Sequence, residues 1–335
     1  MSRLATIAIP IYKRLNYLPE VLRAVELQDY PNIELIVSDN GQNGSKVTEL
    51  IDRHYSRPYR FRQNGLTVNI PSHYHQILSE TTGEYFVWLA DDDLISPSFV
   101  SELVSILDNH PEVSVAIARQ EVIDTTGRVL RRSSEEVPSF LSGEEFIRSW
   151  TKYKYENYST LLARTEDLKA CGGFGNFPRG TASDDAILIK LCLKGSVAFS
   201  TRCAFLYRWH ETSHGFSISL QQLADDLSCF LRFLDSDSMI RSYAAQKPTQ
   251  WAELKARLVT MTWQTYHSRW DTLYRERLSL VPWVKAAFAL PYIPDYYRAV
   301  MYSLRYGVKD KLFRKAKARF PWVHKLYHAI KDWTA

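Results

Sequence analysis

Three consecutive carboxylates, Asp91-Asp92-Asp93, close the apolar run Tyr85-Phe86-Val87-Trp88-Leu89-Ala90. Adjacent anions repel one another, and at the end of a buried strand they also lose part of their hydration. A hard divalent cation relieves both costs, because Mg²⁺ and Mn²⁺ prefer carboxylate oxygen. Magnesium usually leaves positions open to substrate phosphates, so this acidic end suits a metal-bound diphosphate. The chemistry implied is that of a nucleotide or a nucleotide sugar. Two further acidic groups stand out. Asp39-Asn40-Gly41 follows a second short apolar run, and Ser183-Asp184-Asp185 precedes a third. Taken alone, the first is a turn signal. The second has the chemistry of a helix cap, with serine at the start and acids facing the positive end of the helix dipole. A structural role and a chemical one are about evenly matched there on the residues alone.

The elements that must position these acids alternate. Residues 5–11 read as a strand, and residues 17–28 as a helix with Leu18, Val21, Leu22 and Val25 on one face and Pro19 in its first turn. A strand over 33–37, a helix over 47–55, a strand over 59–61 and a helix over 72–80 follow. The strand over 85–90 then carries the acidic end, and Ser96-Pro97 starts a helix through 107. Strand alternating with helix argues for an α/β fold with a mostly parallel sheet, whose ligands bind beyond the carboxyl ends of the strands. Residues 111–215 are mixed, with strands over 113–118 and 197–200 and a turn at Cys171-Gly172-Gly173-Phe174-Gly175. From about residue 220 the pattern is helical, broken at Pro248, Pro282, Pro291, Pro294 and Pro321. We place a domain boundary near residue 216.

In order and spacing, several segments resemble the GT-A fold glycosyltransferases of family 2. They are Ile9-Pro10-Ile11-Tyr12-Lys13-Arg14, Ile36 to Gly41, Gly83 to Asp93 with Pro97, Gly172-Gly173-Phe174, Ser183-Asp184-Asp185, Lys194-Gly195 and Tyr207-Arg208-Trp209-His210. The layout is most similar to bacterial transferases that build surface polysaccharide such as lipopolysaccharide O-antigen, including the abequosyltransferase-like group. The resemblance covers residues 4–217 and implies a Rossmann-like, mostly parallel mixed sheet in a catalytic domain of residues 1–216. An α-helical module of residues 217–335 follows it. By the same resemblance Pro10 and Tyr12 line the nucleotide pocket, and Asp39 accepts hydrogen bonds from the base. Asp91 and Asp92 hold the ribose–diphosphate and cation, with Asp92 the principal metal ligand. Ala90 stands where the family often has a first carboxylate, and Asp93 is a candidate substitute ligand. His73 and His75 replace a more usual asparagine. Asp185, with Asp184 before it, takes the place of the catalytic base, and His210 or His214 reaches the metal or diphosphate.

The implied reaction is metal-dependent inverting transfer, with Mn²⁺ or Mg²⁺ as cofactor. Its donor is a nucleotide-diphosphate sugar, and its acceptor a glycan or lipid-linked saccharide. A sugar nucleotidyltransferase uses the same carboxylates and cation but releases pyrophosphate. A non-catalytic glycan- or lipid-binding module on this fold is the remaining alternative. No Gly-x-Gly-x-x-Gly follows the first strand, which argues against a dinucleotide-dependent oxidoreductase.

Composition bounds the rest. The 335 residues, 45% hydrophobic and 24% charged, suit an ordinary globular protein of about two domains. The four cysteines form no Cys-x-x-Cys pair, consistent with reduced thiols. No secretory leader is evident at Met1-Ser2-Arg3, so a cytoplasmic location is expected. Between Lys309 and Lys331 eight basic residues interleave with Phe313, Phe320, Trp322 and Tyr327. That mixture suits a helix lying on an anionic membrane surface, and hence peripheral attachment to the inner membrane's cytoplasmic face. A packed helical module with a solvated basic face is the structural alternative. A net charge of +5 and the lack of a recognised motif argue against nucleic acid as a partner. Tyr153, Tyr155 and Tyr158 could stack on acceptor sugars or simply pack together.

Overall fold

The computed structural model describes residues 2–274 apart from 134–135, 151–159, 176, 178 and 211–219, with backbone alone at 220, 221, 224 and 263–274. The basic stretch 309–331, Tyr153, Tyr155, Tyr158 and His214 therefore lie outside the described residues. Two compact units divide the chain, residues 1–255 and 256–335. The first unit runs well past the boundary expected near residue 216.

Strand β1 (Ala5–Ile11) is the centre of the nucleotide half of the sheet, parallel to β2 (Ile33–Asp39) on one side and β4 (Tyr85–Trp88) on the other. β3 (Tyr59–Gln63) extends this half beyond β2, again in parallel. Every residue of β1 but Pro10 is buried, as expected of a parallel strand covered on both faces. One cover is α1 (Leu18–Glu26), whose Leu18, Val21, Leu22 and Val25 form the stripe predicted from spacing. α2 (Ser45–His54) and α4 (Phe99–Asn109) join the same core through Val47, Ile51, Phe99, Leu103 and Leu107. Across the sheet, α3 (Ile70–Glu80) starts two residues before the predicted place, because the Asn69 side chain caps the Ser72 N–H at 2.8 Å.

The other half is mixed. β9 (Leu161–Arg164) lies antiparallel between β4 and β6 (Val113–Ile123), and β10 (Ser196–Arg208) pairs with β6 in parallel. β5 (Leu94–Ile95) closes the path antiparallel to β10, while β7 (Val129–Arg132) and β8 (Phe140–Leu141) add to β6 and β10. β6 outruns its predicted end at Ala118 because Glu121, buried in its polar second half, sits between Arg119 (3.0 Å) and Arg132 (3.3 Å). α5 (Gly143–Arg148), α6 (Thr165–Ala170), α7 (Ser183–Lys194), α8 (Leu220–Ser236), α9 (Ser238–Gln246) and α10 (Pro248–Tyr274) complete the described elements. No helix among the described residues is long and apolar enough to cross a membrane.

Candidate active site

The carboxyl ends of β1, β2 and β4 lie side by side, and each releases a polar segment: Tyr12 to Arg14, Asp39 to Gly44, and Asp91 to Asp93. β2 continues two residues past its predicted end, since Ser38 and Asp39 still pair with Pro10 and Ile11. β4 ends early, at Trp88. Leu89 keeps one bond to Ala8, and the acids then occupy a turn off the strand.

The far end of β10 runs past that turn. The Arg208 N–H donates to Asp93 Oδ1 (2.8 Å) and its Nε–H to the Asp92 carbonyl (2.8 Å). Arg208 is 0% exposed; its guanidinium also bonds the carbonyls of Asp124 and Thr125, pairs with Glu20 at 2.7 Å and lies 4.5 Å from the Tyr17 ring centroid. It is the strut that fixes the acidic turn. Asp93, 1% exposed, faces this strut.

The remaining acids meet one cation and one imidazole. Arg14 Nη2 lies 2.7 Å from Asp91 Oδ1 and 2.5 Å from Asp92 Oδ2. Arg14 Nη1 is 3.0 Å from His210 Nε2, and that nitrogen is 2.9 Å from Asp92 Oδ2. Burial pushes the Asp91 carboxyl up to about 6, Arg14 opposes the shift and the Asp92 charge adds to it. Burial works against the Arg14 guanidinium, yet Asp91, Asp92 and Asp93 together hold it above its ordinary value. Its Nε–H is buried with no acceptor among the described residues.

No group of three or more His, Cys, Asp or Glu side chains gathers as a complete metal cage among the described residues. Asp92 Oδ2 and His210 Nε2 are the pair that converges. Adjacent ligands of an octahedral cation, bound at about 2.1 Å, lie about 3 Å apart, so their 2.9 Å separation fits two neighbouring positions. The other positions would fall to substrate oxygen and water, the usual manner of holding Mg²⁺.

The Asp39 side differs. Asp39 is 0% exposed, and its two oxygens accept from the Gly41, Asn43 and Gly44 N–H groups (2.8, 2.5 and 3.1 Å) and from Asn43 Nδ2 (2.8 Å). The carboxylate expected to meet the base thus also shapes its own loop. Asn43 Nδ2 also donates to the Tyr12 carbonyl (2.6 Å), and a Cβ at Gly41 would come within 1.4 Å of that oxygen. The loop is thus clamped to Tyr12, whose ring stands 49% exposed beside Pro10. Beneath it, Asn40 joins Asn64 (2.8 Å) and both backbone groups of Val68, and His73 Nε2 meets Ser38 Oγ at 2.7 Å. Burial, with Arg62 adding, pushes His73 down to about 4, so it is neutral near pH 7.

Asp184 and Asp185, half-buried, open α7, where Asp184 Oδ1 accepts the Asp185 N–H at 3.0 Å. Ser183 Oγ donates to the Gly175 carbonyl (3.0 Å). Next to that turn the Phe174 ring packs on Trp88 (4.3 Å) and Tyr74 (4.8 Å), and His75 Nε2 lies 2.8 Å from the Phe174 carbonyl. The turn that leads into α7 thus packs on the residue that ends β4, three positions before Asp91. From α8, Asp226 accepts the N–H groups of Arg179 (3.0 Å) and Thr181 (2.9 Å), fixing the approach to α7. No local signal in the sequence marks Arg14, Arg208, Asn43 or Asp226 for these roles, although the first two lie within the family-like segments.

Residues 6–174 match the model of "Glycosyl transferase family 2". An uncharacterized glycosyltransferase of Rickettsia conorii is 32% identical over 131 residues, 38% of this chain and 21% of the relative. The abequosyltransferase RfbV of Salmonella typhimurium is 27% identical over 115 residues, 33% of this chain and 34% of that protein. The chain thus spans about a fifth to a third of the length of these relatives. Among solved structures, S. aureus TarS 1–349 in complex with UDP-GlcNAc superposes with a TM-score of 0.62 at 16% identity, over 89% of this chain and 81% of that one. The mannosyltransferase PcManGT from Pyrobaculum calidifontis, in complex with GDP-Man and Mn²⁺, gives 0.57 at 15% identity, over 100% and 84%. With its strands, acidic turn and family match in agreement, this chain belongs to glycosyl transferase family 2 and has the GT-A fold.

Proposed function

We propose that the protein is a metal-dependent, inverting glycosyltransferase that moves a hexosyl or deoxyhexosyl group from a nucleotide-diphosphate sugar to a lipid-linked bacterial glycan. The observation that carries this reading is the Arg14–Asp91–Asp92–His210 cluster, set at the end of β4 two strands from the Asp39 loop. UDP, UDP-GlcNAc and GDP-Man are bound by the similar structures, which supports a donor of that class.

In this reading Tyr12 and Pro10 flank the nucleotide and Asp39 holds their loop in shape. Asp92 and His210 would hold a divalent cation, which when bound offsets negative charge on the departing diphosphate. Asp185 takes the proton of an acceptor hydroxyl as its oxygen forms a bond to the anomeric carbon. The bond from that carbon to the diphosphate oxygen breaks, and its electron pair leaves with the nucleotide. Attack from the opposite face inverts the anomeric centre. Asp184 steadies the first turn of α7 beneath the base. Catalysis belongs to a unit that reaches beyond residue 216, because Asp226 sets the loop before these acids. Attachment of residues 309–331 to the cytoplasmic membrane face, each cation adding about 1 kcal/mol, would bring the site to a lipid-borne acceptor.

Asp185→Asn should abolish turnover while nucleoside diphosphate binding persists. Released nucleoside diphosphate marks the glycosyltransferase, and released pyrophosphate would replace this reading with a nucleotidyltransferase. Full-length protein with its 309–319 cations changed to Gln should no longer float with anionic liposomes; unchanged flotation would remove the membrane part of the reading.

A further inference from the structure

We infer that Arg14 is a built-in counter-cation of the acidic turn, displaced by the entering divalent cation and captured by the donor's diphosphate, so that cation and nucleotide bind as a coupled pair. The inference rests on the glycosyltransferase reading above and adds a residue and a binding order to it.

Three observations meet at Arg14. Its guanidinium touches both atoms of the pair that fits a cation: Nη2 is 2.5 Å from Asp92 Oδ2, and Nη1 is 3.0 Å from His210 Nε2. A metal bound to those atoms would place two cations within contact distance. His210 Nε2 has one lone pair or one hydrogen, and in either tautomer a metal would need that lone pair free and directed at it, so the metal and Arg14 Nη1 cannot both occupy the 3.0 Å position beside this nitrogen. The two occupants are mutually exclusive.

Second, Arg14 belongs to the irregular segment after β1, between Tyr12 and α1, not to a strand or helix. Its long side chain can move without disturbing the sheet that holds the acids. Third, its Nε–H is buried without an acceptor among the described residues. Arginine offers five N–H donors in a planar fork that matches phosphate oxygens bidentately. A diphosphate would receive the donor that now goes unused, together with those released from Asp91 and Asp92. The segment that carries Arg14 also carries Tyr12, the exposed ring on the proposed nucleotide edge.

The consequence is thermodynamic. Alone, a divalent cation must break the contacts of Arg14 with Asp92 and His210, leaving the guanidinium with Asp91 as its acidic partner. With diphosphate present the guanidinium has somewhere to go, so each ligand tightens the other by the same factor.

The test uses the full-length protein and needs no turnover. Mn²⁺ binding is titrated by the electron paramagnetic resonance of free Mn²⁺, with and without saturating UDP or GDP. The expected wild-type result is weak Mn²⁺ binding that the nucleotide tightens about tenfold or more. Arg14→Met should bind Mn²⁺ about tenfold more tightly without nucleotide, with the coupling reduced towards one. Arg14→Lys keeps the charge and loses the fork; it should hold Mn²⁺ affinity near wild type and still weaken the coupling. Thermal unfolding provides a second readout, because Mn²⁺ should raise the melting temperature of Arg14→Met more than that of wild type. If both variants fold and bind Mn²⁺ with unchanged affinity and unchanged coupling, Arg14 is an ordinary ion pair and the inference falls alone. If the wild type binds neither Mn²⁺ nor nucleoside diphosphate, the glycosyltransferase reading falls with it.

Discussion

Asp39 and Asp92 each follow a parallel strand at the same edge of the sheet, yet they do opposite things with their charge. Asp39 spends both oxygens on four N–H donors of its own loop. Asp92 shares one oxygen between a guanidinium and an imidazole, next to a second carboxylate whose proton affinity burial has raised. A saturated carboxylate builds shape, whereas one held by exchangeable partners is available to a substrate. The lesson is that an acid after a strand announces a site only when its acceptors are not already committed to backbone.

The sharpest way to break this comparison is to exchange the effects of the two acids. Asp92→Asn should lower turnover about a thousandfold, equivalent to roughly 4 kcal/mol, and barely move the urea unfolding midpoint. Equal loss of stability and activity would show that Asp92 is structural. Next in size is the pH response of the saturated side. His73 has a folded value pushed down to about 4, whereas an unfolded histidine titrates near 6.5, so the unfolded chain takes the proton first. Its contribution is present above about pH 6.5 and is lost as pH falls towards 4, amounting to about 3 kcal/mol. Asp91, raised to about 6, acts with the opposite sign over nearly the same window. The His73 contribution is therefore read as the difference in unfolding free energy between wild type and His73→Gln from pH 7 to pH 4. A constant difference across that range would reject the neutral, buried histidine.

Asp39→Asn turns one acceptor into a donor facing backbone N–H groups. It should cost about 2 kcal/mol in urea unfolding while the acidic turn keeps its Mn²⁺ affinity. Gly41→Ala tests the same loop, because its new methyl meets the Tyr12 carbonyl and must spread the clamp. Nucleoside diphosphate affinity by calorimetry should drop about tenfold, and the urea midpoint should fall as well because the methyl meets main chain that cannot yield cheaply; retained affinity would mean that the loop does not shape the nucleotide edge.

The nucleotide half of the fold was legible because its signals are local. Continuous apolar runs over β1, β2 and β4 mark strands buried on both faces, and the Leu18–Val25 stripe needs only helical spacing. β7, β8 and β9 escaped notice, being four residues or fewer and given their partners by distant strands. The polar end of β6 depends on the flanking arginines of Glu121, a contact that spacing alone does not reveal. At the site, adjacent carboxylates advertised themselves, and His210 was placed near the metal by resemblance. The saturation of Asp39 was hidden because its donors are main-chain amides, the same at every position until the loop is folded. Arg14 and Arg208 look alike in sequence, and burial separates a movable partner from a fixed strut.

Asp226 sits 52 residues beyond the family-matched stretch and is 0% exposed. Its carboxylate fastens the backbone two and four residues before Ser183, where the helix of the proposed base begins. An enzyme cut after residue 216 would retain each acid named for the chemistry and lose the clasp that aims one of them. Replacing the helix that carries Asp226 would therefore loosen the approach to the proposed base, and a graft on this chain must carry a matching aspartate.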